Sequence, residues 1–141
     1  MRTVLDTDVL VAAIRSDQGA SRELVELALE EAYPLLLSVP LILEYESVLT
    51  RAEHLEVAGL TAGDIGILLD ALVSLSEPVK FSFRWRPILT DPEDDMVLET
   101  AVNGSAHALV TFNQRHFAKA AKAFALEVLT PGQALQLLRS R

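Results

Sequence analysis

The chain has no cysteine and no long apolar run. Without cysteine it can form neither disulfides nor a zinc–thiolate site, and it has no thiol nucleophile. Its longest apolar stretch, residues 34–43, contains two prolines and is much shorter than the roughly 20 residues of a membrane-spanning helix. The sequence starts directly with a strand-like segment, without a basic leader and a cleavage site. These absences predict a soluble, cytoplasmic protein with no membrane partner.

Positive charge is also scarce. Lysine and arginine number 12 against 20 aspartates and glutamates, which gives a formal net charge of -8. This balance argues against a protein that binds nucleic acid over a broad basic face. It does not exclude an enzyme that acts on nucleic acid, because carboxylates that hold divalent cations add negative charge whose local sign the bound ions reverse. The acidity is equally compatible with an ordinary solvated surface.

The length and the apolar content suit one domain with its own core. The chain has 141 residues, half of them hydrophobic, and no internal repeat or linker interrupts it. Strands are predicted at residues 2–5, 35–37, 108–111 and 126–129, and helices at residues 8–16, 21–33, 38–49, 62–75, 91–103, 113–123 and from Pro131 onward. Strands that alternate with helices imply parallel pairing and right-handed crossovers. We therefore expect a single domain over residues 1–141 with an α/β fold, a three-layer α/β/α sandwich around a central parallel sheet.

Side-chain oxygens from separate parts of the chain fall at one edge of this predicted sheet. They are Asp6 and Asp8 after the first strand, Glu44 in the helix after the second, Asp91 and Asp95 at the start of a later helix, and Asn113 after the third strand. In such sheets, ligands bind beyond the carboxyl ends of the strands. Converging carboxylates repel one another unless a cation or a proton intervenes, and hard cations prefer oxygen ligands. The pattern predicts a site for Mg²⁺ or Mn²⁺, and two such ions about 4 Å apart can hydrolyse a phosphodiester.

Each acid also has a purely structural interpretation. Asp6 and Asp8 are of a type favoured in loops and at helix N-caps. Glu44 lies two residues before Glu46, so one of the two is expected to be an ordinary solvated helix residue. The acids from Asp91 onward suit the first turn of a helix, where the helix dipole favours negative charge. It is their joint placement at one sheet edge that favours a metal site.

Four segments of the chain resemble the motifs of PIN domains. Residues 4–11 are similar to the opening signature of that family, and residues 38–45 to its second motif, a serine after a strand and a glutamate in the next helix. Residues 91–101 resemble the third motif in the form found in bacterial PIN proteins of toxin–antitoxin systems, and residues 108–117 resemble the fourth. Each motif alone is weakly specific, but the four follow in order and cover nearly the whole chain.

This resemblance implies a ribonuclease that depends on Mg²⁺ or Mn²⁺, of the VapC-like toxin type, with RNA as substrate and a small antitoxin as partner. By position, Asp6, Glu44 and Asp95 match the catalytic, metal-binding acids of the family. Asp91 matches an additional metal-binding acid of this branch. Asn113 stands where many members have a fourth aspartate, and Asp8 stands where many have asparagine. An asparagine offers a carbonyl oxygen but no charge, so a second metal should bind more weakly.

Toxins of this type usually form homodimers, and the mean hydropathy of +0.29 is high for a small acidic domain. We therefore expect a dimer, with the predicted helices at residues 21–33 and 61–75 as its candidate surfaces. Residues 80–86 alternate aromatic and basic side chains, which indicates a strand with an aromatic core face or an arm that binds single-stranded RNA. His116 is a candidate phosphate contact. Ser38 and Thr111 could orient waters at the site, or serve only as a helix cap and a strand end.

Two other functions compete with the nuclease. One is a non-catalytic PIN-fold interaction module, which the asparagine at position 113 favours. The other is a haloacid-dehalogenase-like phosphatase, which also has two aspartates after its first strand. That class would need a threonine two residues after Asp8, where this chain has Leu10, and a lysine near the later acids.

Overall fold

The computed structural model describes residues 1–81 and 92–140, and only the backbone of residues 92–95. Within these residues the elements are β1 (Thr3–Leu5), α1 (Thr7–Arg15), α2 (Ala20–Leu29), β2 (Leu36–Leu37), α3 (Val39–Leu49), α4 (Ala52–Ala58), α5 (Ala62–Leu75), β3 (Glu77–Pro78), α6 (Pro92–Asn103), β4 (Ala108–Val110), α7 (Gln114–Phe124), β5 (Glu127–Leu129) and α8 (Pro131–Arg139). Short strands alternate with helices, as the sequence predicts.

All strand pairs in the described residues are parallel. β4 lies between β1 and β5 in a three-stranded sheet, and β2 pairs with β3. The two groups meet at Thr3, which forms a parallel bridge with Leu35 and whose amide donates to the Pro34 carbonyl at 3.0 Å. The spatial order is therefore β3–β2–β1–β4–β5. The predicted α/β fold with a central parallel sheet and helices on both faces is confirmed.

The central strands are completely covered. Val4 and Leu5 of β1 and Leu109 and Val110 of β4 each have 0% of their surface exposed, which is typical of a parallel sheet with helices on both faces. Helix α6 packs across β1, β2 and β4, while α2 packs on both α1 and α8. Because β1 and β4 are parallel, the residues that follow them lie together at the carboxyl edge of the sheet.

Local capping fixes several helix starts. The Ser38 hydroxyl accepts from the Leu41 amide at the start of α3, and Thr61 and Thr130 form capping boxes at the starts of α5 and α8. One predicted start was wrong: Ser21 was expected to precede a helix but lies inside α2, which begins at Ala20. Gly19 has a φ of 102°, and this backbone turn starts the helix earlier.

In residues 1–81 and 92–140, no single helix is long and apolar enough to cross a membrane. Helices α4 and α5 pass that test only when taken together, and they bend by 87° at the break between them. The predicted aromatic and basic strand at residues 80–86 lies outside the described residues from position 82 onward.

Candidate active site

Asp6 occupies the junction between β1 and α1. Its backbone amide donates to the Val110 carbonyl at 2.8 Å, which fixes the residue against β4. The extended backbone of Asp6 makes it the N-cap of α1, and its Oδ1 accepts from the Thr7 amide at 2.8 Å. Only 5% of Asp6 is exposed. The predicted N-cap role of Asp6 is therefore confirmed. It uses only Oδ1, so Oδ2 can interact with other groups.

That second oxygen is held by Thr111, which follows β4. The Thr111 hydroxyl donates to Asp6 Oδ2 at 2.7 Å and accepts from the Asn113 amide at 2.9 Å. A longer contact of 3.5 Å joins the same hydroxyl to Asp8 Oδ2. Because a hydroxyl has a single proton, it donates its one hydrogen bond to Asp6, the nearer of the two carboxylates. Thr111 thus orients the Asp6 carboxylate directly.

Asp8 lies beside Asp6 on the first turn of α1. Its Oδ2 accepts from the Phe112 amide at 3.1 Å, while its Oδ1 is buried and has no hydrogen-bond partner among the described residues. Burial raises the pKa of the Asp8 carboxyl above its ordinary value of 3.8, and hydrogen bonding, chiefly from the Phe112 amide, offsets only part of that effect. We call Asp6 and Asp8 the acid pair.

Glu44 lies on α3. It is half-buried, whereas Glu46 is exposed, so Glu46 is the solvated member of the two. The next residue, Tyr45, is completely buried, and its hydroxyl donates to the carbonyl of Leu5, immediately before Asp6. Burial, and then the negative charge of Asp6, raise the pKa of the Tyr45 phenol well above its usual value. Tyr45 therefore anchors α3 next to the acid pair.

A relay of hydroxyls joins the start of α3 to α6. The Ser38 hydroxyl lies 2.7 Å from the Thr100 hydroxyl, which in turn donates to the Met96 carbonyl at 2.8 Å. Ser38 must therefore donate to Thr100, and it accepts from the Leu41 amide at 3.3 Å. Both hydroxyl residues are almost fully buried, at 2% and 0% exposure. This relay, which the sequence did not reveal, sets α3 against the helix that carries Asp95.

The later acids are described less completely. Asp95 is the fourth residue of α6, where only the backbone is described, and Asp91 lies outside the described residues. Glu99, which was not among the residues predicted from the sequence, is 1% exposed and lies one helical turn after Asp95. That spacing was the available signal, because residues four apart share a helix face.

Asn113 and His116 lie at the start of α7. Both are exposed, and Asn113 begins the helix without a side-chain capping bond. Asn113 is one of the predicted metal ligands. Within the described residues, its side chain makes no hydrogen bond to Asp6 or Asp8. Nor do the described residues contain a group of three histidine or acidic side chains that could hold a metal ion.

Residues 2–115 match the family model of the PIN domain. The chain belongs to the PIN domain family. The match spans the first three motifs and most of the fourth, from the strand before Asp6 to the start of α7. Among curated proteins, no significant match to the chain was found.

A solved structure supports the fold of this PIN domain. It is a chain of the crystal structure of VapBC2 from Rickettsia felis bound to a DNA fragment from their promoter, with a TM-score of 0.62 and 17% sequence identity. The alignment covers 92% of this chain and 98% of that one. At this identity the likeness is one of fold.

The acid pair of this PIN domain has the donor chemistry that suits a hard divalent cation. Two neighbouring carboxylates in a partly buried space disfavour joint ionisation, and a cation between them removes that repulsion. The buried Oδ1 of Asp8 has no hydrogen-bond partner among the described residues, so it is available as a ligand. The two carboxylates therefore fit a hard divalent cation.

Proposed function

We propose that this PIN domain is an endoribonuclease that hydrolyses RNA phosphodiester bonds with Mg²⁺ or Mn²⁺, and that it is the toxin of a toxin–antitoxin pair. The observation that carries the proposal is the acid pair. Asp6 is oriented by Thr111, and Asp8 presents a buried oxygen without a hydrogen-bond partner among the described residues. Membership of the PIN family supports the nuclease class.

In this proposal Asp6, Glu44 and Asp95 are the catalytic acids, and they hold the cation together with Asp91 and Asn113. When bound, Mg²⁺ or Mn²⁺ lowers the pKa of a water molecule and shields the charge of the phosphate. The chain's own residues supply position. The Thr7 amide and the Thr111 hydroxyl each fix one oxygen of Asp6, so its carboxylate needs little reorganisation.

Asp8 has an additional role in the proposal. Asn113 brings no charge, and its side chain is exposed and makes no capping bond. Asp8 adjoins Asp6 through Thr111, and it supplies the negative charge that an aspartate at position 113 would otherwise provide. Deprotonation of its buried carboxyl is favoured by a cation, because the cation offsets the loss of solvation.

The proposed partners are an RNA substrate, an antitoxin protein and a second copy of the chain. The VapBC2 structure supports the antitoxin, since a chain of that assembly shares the fold. Exposed apolar side chains on α5, one of the two expected dimer helices, support association: Ile67 is 71% exposed and Val73 is 42% exposed. Light scattering at micromolar concentration tests the dimer. A cytoplasmic location is the expected setting.

The non-catalytic PIN-fold module remains the second candidate, and the unengaged side chain of Asn113 is the observation that favours it. The PIN family assignment replaces the phosphatase alternative.

A cleavage assay separates the two. Purified protein is incubated with labelled single-stranded RNA in Mg²⁺, with and without EDTA, alongside Asp6→Asn and the control Asp70→Asn. Asp70 is an exposed residue of α5. We expect cleavage by the wild type and by Asp70→Asn, and none with EDTA or with Asp6→Asn. RNA that stays intact with the wild type would support the interaction module instead.

A further inference from the structure

A groove on the protein surface is lined by Phe112, whose amide is bonded to Asp8 of the acid pair. It lies between the end of α1, the starts of α2 and α8, and the residue that follows Thr111. We call it the Phe112 groove, and its main lining residues are Phe112, Gln18, Gly19, Ser21, Thr130 and Pro131. None of the described residues that line it is charged. In a chain of net charge -8, such a neutral surface repels an incoming phosphate backbone less than an acidic one does.

Phe112 is a large aromatic residue in an unusual position. Its amide donates to Asp8 Oδ2 at 3.1 Å, so its backbone is fixed to the acid pair. Yet 54% of the residue is exposed, so core packing does not account for it. Exposed aromatic rings are the platforms on which proteins stack the unpaired bases of RNA. Because the backbone of Phe112 is held to the acid pair, a base stacked on its ring would lie near the bond that is cut.

The opposite wall of the groove offers hydrogen-bond donors. Ser21 is only 6% exposed, lines the groove, and its hydroxyl makes no hydrogen bond to any described residue. It belongs to the first turn of α2, whose N-cap, Gly19, supplies no side-chain capping bond. The first amides of this helix therefore lack a side-chain acceptor, and the helix dipole places positive potential there. An anionic oxygen is the group that such donors accommodate.

We infer that the Phe112 groove binds the RNA strand beside the scissile bond, with one base stacked on Phe112 and a phosphate held by the Ser21 hydroxyl and the first amides of α2. The inference rests on the proposed ribonuclease function. It identifies the surface that binds the nucleotides next to the bond that is cut. Phe112 and Ser21 act as binding and positioning residues. The stacking is independent of base identity, because every base has a π face.

Binding can be measured without cleavage. Fluorescence anisotropy with a short labelled single-stranded oligoribonucleotide of mixed sequence, in EDTA, gives the Kd of the full chain. We expect Phe112→Ala to weaken binding about tenfold, as the loss of one stacked base would do, and Phe112→Tyr to bind as the wild type does. The control is Val57→Ala, which truncates an apolar residue of similar exposure (56%) on α4 and should leave the Kd unchanged.

The Ser21 wall is tested separately. Ser21→Ala keeps the buried volume nearly constant, so the fold should persist, and we expect about fivefold weaker RNA binding from one lost hydrogen bond. In Mg²⁺, Phe112→Ala and Ser21→Ala should each raise the KM for RNA by about the factor by which they weaken binding. Both should leave kcat nearly unchanged, because they remove contacts that bind the substrate and not groups that take part in cleavage.

The outcomes distinguish a failure of the groove assignment from a failure of the proposed ribonuclease function. If the wild type cleaves RNA but Phe112→Ala binds and cleaves as the wild type does, the groove assignment is overturned while the ribonuclease survives. That result would leave a protein segment as the occupant of the groove. If the wild type neither binds nor cleaves RNA, the proposed function itself fails, and the groove assignment fails with it. Weaker binding by Phe112→Ala with rescue by Phe112→Tyr supports both.

Discussion

The hydroxyl of Thr111 donates to Oδ2 of Asp6 at 2.7 Å, although the two residues are 105 positions apart in the chain. The contact exists because β1 and β4 are parallel neighbours, so the residues that follow them meet at the same edge of the sheet. With the Thr7 amide on Oδ1, both oxygens of Asp6 are fixed in direction.

Thr111→Val should impair catalysis more than Thr111→Ser. Valine has nearly the volume of threonine but no hydroxyl, and a hydrogen bond to a charged group contributes about 1.5–3 kcal/mol. We expect kcat/KM for RNA to fall at least about tenfold with valine and to stay near the wild-type value with serine. Steady-state cleavage kinetics and a thermal melt of each variant provide the test. Equal kinetics for valine and the wild type would remove Thr111 from the site.

The raised pKa of Asp8 predicts how stability depends on pH in metal-free protein. Because burial raises the folded-state pKa above the ordinary value of 3.8, the folded state binds the proton more tightly than the unfolded chain. The resulting stability is fully present below that ordinary value and is lost as the pH rises through the folded-state pKa. The wild type should therefore lose stability relative to Asp8→Asn as the pH is raised.

Urea unfolding of both proteins in EDTA, from about pH 4 to about pH 8, measures this difference. Adding Mn²⁺ at the upper end should stabilise the wild type more than the variant. A difference in the free energy of unfolding that does not change with pH would contradict the burial of an ionisable Asp8.

The hydroxyl relay from Ser38 to Thr100 should matter for activity beyond its effect on stability. Ser38→Ala removes both an N-cap and the contact with α6, whereas Thr61→Ala removes an N-cap at α5 alone. Each loss of a cap should cost about 0.5–2 kcal/mol of stability. We expect only Ser38→Ala to lower kcat/KM, by severalfold.

Thr100→Val separates the two effects of Ser38, since it leaves the cap intact and cuts the relay. Its kinetics should resemble those of Ser38→Ala. If Ser38→Ala and Thr61→Ala lower the melting temperature alike and leave kcat/KM alike, the relay is only structural.

Asn113→Asp should strengthen metal binding at the site. Asn113 is exposed at the start of α7 and makes no side-chain capping bond, so an aspartate should fit and suit the helix dipole. The added charge should tighten the binding of a second Mn²⁺, unless Asp8 already serves it. Calorimetric titration of both proteins compares the stoichiometry and the Kd. An unchanged titration would indicate that Asp8 already provides this charge.

The parts of the fold that depend on local signals were predictable. Helix α5 has the predicted bounds, residues 62–75, because Thr61 and Asp64 form a capping box that marks its start in the sequence. The start of α8 is marked in the same way by Thr130 and Pro131. Helix α4 was missed because none of its seven residues is buried and no side chain caps it, so it shows no apolar stripe.

Features that depend on distant contacts were not predictable. The two-residue strand β3 contains a proline and exists through its pairing with β2, which no local pattern announces. At the site, the sequence pointed to Asp6 and Asp8, because acids after a buried parallel strand fall at the sheet edge. The hydrogen bond of Thr111 to Asp6 and the relay from Ser38 to Thr100 join residues far apart in the chain, and only the fold reveals them.

The most direct test of the central claim, that the acid pair holds the divalent cation on which RNA cleavage depends, is calorimetric titration of metal-free protein with Mn²⁺. The wild type and the control Asp70→Asn should bind with the same Kd, and Asp6→Asn should bind at least about tenfold more weakly, since one charged ligand is lost. The Asp6→Asn fold should persist, because asparagine can still accept from the Thr7 amide as the N-cap. A wild type that takes up no Mn²⁺, or an Asp6→Asn variant that binds it as tightly as the wild type, would contradict the account.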